Sequence, residues 1–165
     1  MRLSSILDPA CVVLDVGGGT KADVLARLAA PIAARRPDLD GAALLAELVR
    51  REEESSTAIA DGIAIPHARP ACRPEVTAAF GRSPSGVDFD SLDGRPTRLL
   101  FVVVSPASEP GLHGSWLAHI ARVLSDAATR SALLDAATAA DVLAVLGRRE
   151  DAVEADVPAA AKAAR

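Results

Sequence analysis

The sequence predicts an α/β fold: a single-domain sandwich in which a central mixed β-sheet is flanked by helices. Three observations carry that expectation. Apolar runs of strand length alternate with stretches whose apolar residues recur at helical spacing. One run, "RLLFVVVS" (98–105), is apolar from Leu99 to Val104, as a strand covered on both faces must be. The chain's 165 residues suffice for one domain with a proper core and fall short of two ordinary ones.

The elements follow in order. "CVVLDV" (11–16) reads as a short buried strand and "GGGT" (17–20) as a turn. A helix follows with Val24, Leu25, Leu28 and Ile32 on one face, and Pro37 interrupts it. "DLDGAALLAELVRREEE" opens at an aspartate cap and places Leu44, Leu45, Leu48 and Val49 on its buried side. Residues 59–66 form an extended apolar segment ending at Pro66. "EVTAAFGR" (75–82) and residues 98–105 are strands, separated by the loop "SPSGVDFDSLDGRP". After the loop "PASEPGLHG" come the helix "SWLAHIARVLSD" (115–126) and two short helical pieces, "TRSALLDAA" and "AADVLAVLGRR". The domain is expected to span residues 1–150. "DAVEADVPAAAKAAR" (151–165) carries little to bury and is expected to be a disordered tail.

Composition excludes several functions. Net charge is -4, and Lys occurs only at positions 21 and 162, so there is no basic surplus for nucleic acid. With no Tyr, one Trp and three Phe, the sparse aromatics also count against surfaces for stacking bases. Cys11 and Cys72 show neither metal spacing nor a disulfide pattern and read as reduced, buried small residues. The N-terminus reaches Asp8 and Pro9 too soon for a signal peptide, and no run of 18 apolar residues spans a membrane. A cytoplasmic location is the expectation.

"DVGGGTK" (15–21) resembles the strand–turn–helix opening of a nucleotide or methyl-donor site, where backbone N–H groups converge on an anion. The pattern fails in detail. Only three glycines precede Thr20 and Lys21, GxGxxG does not fit, and the next segment is helical where a second strand is needed. A plain tight turn is the better reading.

"STAIADGIAIPHARP" (56–70) is more informative. It delivers His67, one of three histidines, between Pro66 and Pro70 at the end of an apolar segment. A lone histidine there is ordinarily a surface or satisfied core residue. However, strand ends of α/β sheets are where ligands sit, and His113 follows the central strand just before a helix start. Two rings without a Cys or carboxylate pattern make a poor zinc site. They suit an anion, or a phosphoryl group carried on one ring, since neutral imidazole is nucleophilic near pH 7.

The surrounding residues resemble a known family. "REEESSTAIADGIAIPHAR" (51–69) is similar to the signature RExxxSTGIGxGIAIPH of the enzyme IIA component of the bacterial phosphotransferase system. The match is to the fructose/mannitol type (EIIA type-2), which includes nitrogen-regulatory members. Arg51, Thr57 and His67 fall in step without a gap. "HGSWLAHIARVLSD" (113–126) resembles the second signature, HLxxLAxIARxLSD. The likeness covers about residues 3–147.

The resemblance implies specific roles. His67 would accept a phosphoryl group from a histidine-containing phosphocarrier protein and pass it to a IIB component or hold it as a regulatory mark. His113 would stabilise the phosphoryl group and Arg51 would bind its oxygens, a task suited to a planar guanidinium. Ser56 and Thr57 would add hydroxyl donors, while Arg69 either reaches the phosphate or is solvated. No cofactor, metal, nucleic acid or membrane insertion is implied. The rest of "RREEE" (50–54) reads as a solvated helix end, Trp116 as packing, and His119 as a surface residue facing away from His113.

The sequence departs from the family at Ala58 and Ala60, where glycines are usual, at Asp61, where Asn is common, and at Gly114, where Leu is usual. Alanine would be strained if those positions need positive φ, and Gly114 would loosen the start of its helix. Competence for phosphorylation is still the expectation. The functional readings are a phosphocarrier of a sugar-uptake chain and a regulatory module whose phosphorylation selects its partners. A methyl-donor or nucleotide enzyme built on "DVGGGTK" is the weaker alternative.

Overall fold

In the computed structural model, which describes residues 1–70 and 75–155, the chain runs β1 (Leu7–Val13), α1 (Lys21–Arg35), α2 (Gly41–Glu54), β2 (Ile63–Ala64) and β3 (His67–Ala68). It continues with β4 (Thr77–Val87), β5 (Thr97–Val104), α3 (Pro110–Leu124), α4 (Ala127–Asp135) and α5 (Ala139–Ala155). The sheet has the order β1–β4–β5–β2, and β3 also pairs with β5. β4 and β5 are antiparallel and the other pairs parallel, so the sheet is mixed, as predicted. β5 is internal to the sheet and buried from Leu99 to Val104, which accounts for its apolar run.

The helices begin where the sequence supplies caps. Thr20 and Asp23 form a reciprocal capping box at the start of α1. The Asp40 carboxylate accepts from the N–H groups of Ala42 and Ala43 (2.8 and 3.0 Å) at the start of α2. Val24, Leu25, Leu28 and Ile32 are fully buried, so the α1 face read from spacing is the one packed on the sheet. That packing requires Gly81: a Cβ there would sit 2.7 Å from Leu28 Cδ2 and 2.8 Å from Val16 Cγ1. Phe80 and Phe101 meet edge-to-face in the core, with centroids 6.2 Å apart.

The extended segment before His67 is broken into β2 and β3 by Pro66. Having no N–H, Pro66 cannot donate to the ladder. Its carbonyl still accepts from Val103 N–H (2.9 Å), so the register runs on from Ile63 opposite Leu99 to His67 opposite Val103. This places His67 at the C-terminal end of the edge beside β5.

Several boundaries differ from expectation. β1 lies at 7–13 rather than 11–16. β4 runs through Val87 and so takes in Ser83 to Val87 of the expected loop, crossing an irregularity between Arg82 and Val87 where Pro84 and Gly86 are tolerated. α3 starts at Pro110, whose missing N–H is harmless in a first turn, so His113 lies within the helix rather than before it. α5 continues to Ala155 with Val153 buried, so the first five residues of the expected tail are helical. Residues 156–165 and Cys72 lie outside the described residues; Cys11 is buried and free. Among the described residues no helix is long and apolar enough to cross a membrane.

Candidate functional site

His67 on β3, His113 in α3, Arg51 in the last turn of α2 and Arg69 just past β3 line one cleft of about 410 Å³, together with Glu47, Arg50, Ala68 and Ala107. The two imidazole centroids are 4.9 Å apart. Packing of both β3 and α3 on β5 brings together residues 46 positions apart in sequence, His67 and His113.

Each nitrogen of His67 has a partner. Nδ1 lies 2.9 Å from the carbonyl of Ile65, a pure acceptor, so Nδ1 carries the proton. Nε2 then holds the lone pair, and it accepts from Arg51 Nε at 2.9 Å. Arg51 is itself held by donation from Nη1 to the carbonyl of Ser55 (3.0 Å). Burial is the main force lowering the basicity of His67, and the charges of Arg51 and Arg69 add to it against the pull of Ile65 and Glu52. The ring is therefore a neutral nucleophile in a positively charged setting.

His113 is buried and its Nδ1 lies 2.7 Å from Ser105 Oγ. Desolvation first, then His67, Arg69 and Arg51, push its pKa down from 6.5 to about 4. The sign of the consequence is fixed. The unfolded ring binds its proton near 6.5 while the folded ring stays neutral until about 4, so stability falls as pH drops through that window. The expected loss is on the order of 1–3 kcal/mol. Equilibrium unfolding between pH 7 and pH 4 checks it: His113→Gln should flatten the slope, and a variant curve parallel to the parent's would acquit this ring.

Arg69 is fixed by its own N–H donating to Glu47 (2.7 Å) and by Nη2 donating to the carbonyl of Ala107 (2.7 Å). Its Nε is buried without a partner. It lines the cleft rather than solvent.

Ser56 and Thr57 are not brought to the cleft. Ser56 Oγ donates to the carbonyl of Phe89, and Thr57 Oγ1 donates to Glu52 (2.5 Å). Glu52 is the residue that sequence reasoning misplaced. Far from solvated, it is 4 % exposed and accepts from Thr57 N–H (2.9 Å), Thr57 Oγ1 and Lys21 Nζ (2.9 Å). It ties α1, α2 and the approach to His67 together one residue after Arg51. Its place beside Arg51 in the "RE…ST" pattern was the available signal.

The substitutions at Ala58 and Ala60 cost no left-handed strain, because positive φ falls instead on Asp61 (55°) and Gly62 (73°). Aspartate tolerates that region better than most residues. Gly114 has open space where a Cβ would lie, within the helix rather than at its start.

Two other expectations are corrected or set aside. His119 does face away from the cleft, but it is buried, with Nε2 2.7 Å from Glu150 Oε1 on α5. The "DVGGGTK" turn is occupied by its own side chains: Asp15 accepts from Gly17 N–H, Arg27 donates to the carbonyls of Val16 and Gly18, and Asp23 takes Thr20 N–H. A carboxylate thus stands where a phosphate would, and Lys21 is paired with Glu52 and Asp90. Trp116 packs in the core, as read. Among the described residues no group of three or more His, Cys, Asp or Glu could hold a metal ion.

Fold and site together define an α/β protein with two imidazoles under arginine cover at the end of a mixed sheet. The family model for the phosphoenolpyruvate-dependent sugar phosphotransferase system, EIIA 2, matches residues 5–148, and the chain belongs to that family. It is 39 % identical over 140 residues to a nitrogen regulatory protein of Pseudomonas aeruginosa, covering 84 % of this chain and 90 % of that one. It is 40 % identical over 115 residues to a fructose-specific EIIA component of Haloferax volcanii, covering 68 % and 73 %. The crystal structure of the nitrogen regulatory protein IIA-Ntr from Neisseria meningitidis superposes with a TM-score of 0.81 at 32 % identity, over 87 % of this chain and 98 % of that one.

Proposed function

We propose that His67 is the phosphoryl acceptor of this IIA protein and that a histidine-containing phosphocarrier protein is its donor. One observation carries the assignment: His67 presents an unprotonated Nε2 to the cleft, held by Arg51, while its Nδ1–H is committed to a carbonyl. In the transfer, the Nε2 lone pair attacks the phosphorus held on the donor's ring nitrogen. A new N–P bond forms, the donor's N–P bond breaks, and its electron pair returns to the donor ring. No proton need leave His67, because Nδ1 keeps its own throughout. The guanidinium of Arg51 releases the lone pair and turns its N–H groups to the phosphoryl oxygens, whose charge Arg69 also faces. His113 donates to the same oxygens.

A regulatory use of the phosphoryl mark agrees best with the nitrogen-regulatory relatives, which align over most of both chains. Passing it to a IIB component is the second reading, favoured by the fructose-specific relative. Incubation of the purified protein with phosphoenolpyruvate, the upstream enzyme and the phosphocarrier tests the acceptor role. Label should appear and then move to a IIB partner only under the second reading. A parent protein that takes up no label overturns the proposal.

Arg51→Lys should slow transfer. An ammonium reproduces neither the contact with Nε2 nor the planar fork. In a dry site one lost donor costs about 10²–10³ in rate, and in this open cleft roughly 10–100-fold is expected. Quench-flow labelling measures it, and a lysine variant as fast as the parent would remove Arg51 from the site.

A further inference from the structure

His113 can donate to a phosphoryl oxygen only if its proton sits on Nε2, and a neutral imidazole has no reason of its own to put it there. The deciding contact is with Ser105, the residue after β5. Ser105 is fully buried, its N–H is taken by the carbonyl of Ala68 (3.1 Å), and the hydrogen-bond partner of its hydroxyl is His113 Nδ1 at 2.7 Å. Were Nδ1 protonated, it would donate to Oγ, and the hydroxyl's own proton would be left without an acceptor in the interior. The arrangement that satisfies both groups has Oγ–H donating to Nδ1, which leaves the proton on Nε2.

The geometry points to Ser105 as a positioning residue for phosphoryl transfer, whose buried hydroxyl fixes His113 as the Nε2–H tautomer and so makes it a donor to the cleft. The paired rings then hold opposite tautomers. A carbonyl fixes His67 with its lone pair on Nε2, and a hydroxyl fixes His113 with its proton on Nε2. Two chemically identical side chains 4.9 Å apart are thereby assigned attack and stabilisation by what stands behind each. Burial that keeps His113 neutral into the acid range preserves the arrangement at working pH.

The inference rests on the acceptor role given to His67, and the test separates the two. Two-bond ¹H–¹⁵N spectra of the unphosphorylated protein, with histidine rings labelled, report each tautomer without any transfer taking place. The parent should show Nδ1–H for His67 and Nε2–H for His113. Ser105→Ala should shift His113 toward Nδ1–H, leave the His67 pattern in place, and slow phosphoryl transfer roughly tenfold. In a His113→Ala background the same substitution should slow transfer no further, whereas a merely structural role would act regardless of the ring. An Nδ1–H pattern for His113 in the parent, an unchanged tautomer or rate in Ser105→Ala, or an undiminished effect without the ring would each overturn it. Failure of the parent to accept label would count against the acceptor role alone, leaving Ser105 to be judged by the spectra.

Discussion

His67→Ala is expected to take up no acid-labile phosphoryl group under conditions that fully label the parent. The effect should be complete rather than partial, because nothing near His67 can substitute for it. The other ring in the cleft, His113, has its Nδ1 tied to Ser105 and its remaining nitrogen protonated, so it offers no lone pair. His119 is buried against Glu150 on a different face of α3. Acid-lability of the bound label and a base-stability control identify the linkage, and undiminished labelling of the variant would refute the assignment. Its fold should be intact, since the ring is only partly buried and the backbone pairing of β3 with β5 does not depend on it.

Glu52→Ala carries the largest expected cost in stability. The carboxylate is buried and serves three donors, so its removal leaves Thr57 N–H and Oγ1–H without their acceptor and takes one of two carboxylates from Lys21 Nζ. Breaking such a pair by deleting one partner typically costs about 3–5 kcal/mol, and the retained contact of Lys21 with Asp90 places the expectation near 3. Glu52→Gln, which keeps the shape and one carbonyl acceptor, should lose less. Urea unfolding measures both, and an alanine variant within about 1 kcal/mol of the parent would return Glu52 to the solvated face. Transfer should slow as well, because the Thr57 segment that Glu52 anchors pairs with Ile65, the residue whose carbonyl sets the His67 tautomer.

What could be read in the sequence follows the range of the interactions involved. The helix faces of α1 and α2 and the buried β5 were legible because periodicity is local. His67 and Arg51 could be linked because the motif holds them at fixed spacing, although β2 lies between their elements. Glu52 was hidden: in "RREEE" every glutamate looks solvated, and the partner that draws this one inward, Lys21, lies 31 residues away. Ser105 was hidden although its partner is only eight residues away, since a serine after a strand is unremarkable until α3 folds His113 onto it. The helical angle correctly turned His119 away from the cleft, but only the fold reveals that α5 covers it with Glu150. The polar, proline-containing stretch 83–87 reads as loop, yet it stays in β4 because the strand's irregularity absorbs Pro84 and Gly86.

The most direct test of the central claim is the position of the phosphoryl group on the ring. Protein labelled at the histidine nitrogens and phosphorylated through the phosphocarrier can be read by ³¹P and two-bond ¹H–¹⁵N spectra. With Nδ1–H bound to the Ile65 carbonyl and Nε2 open to the cleft through Arg51, phosphorus should couple to Nε2 of His67 while Nδ1 retains its proton. A phosphoryl group on Nδ1 of His67, or on either nitrogen of His113, would contradict the account.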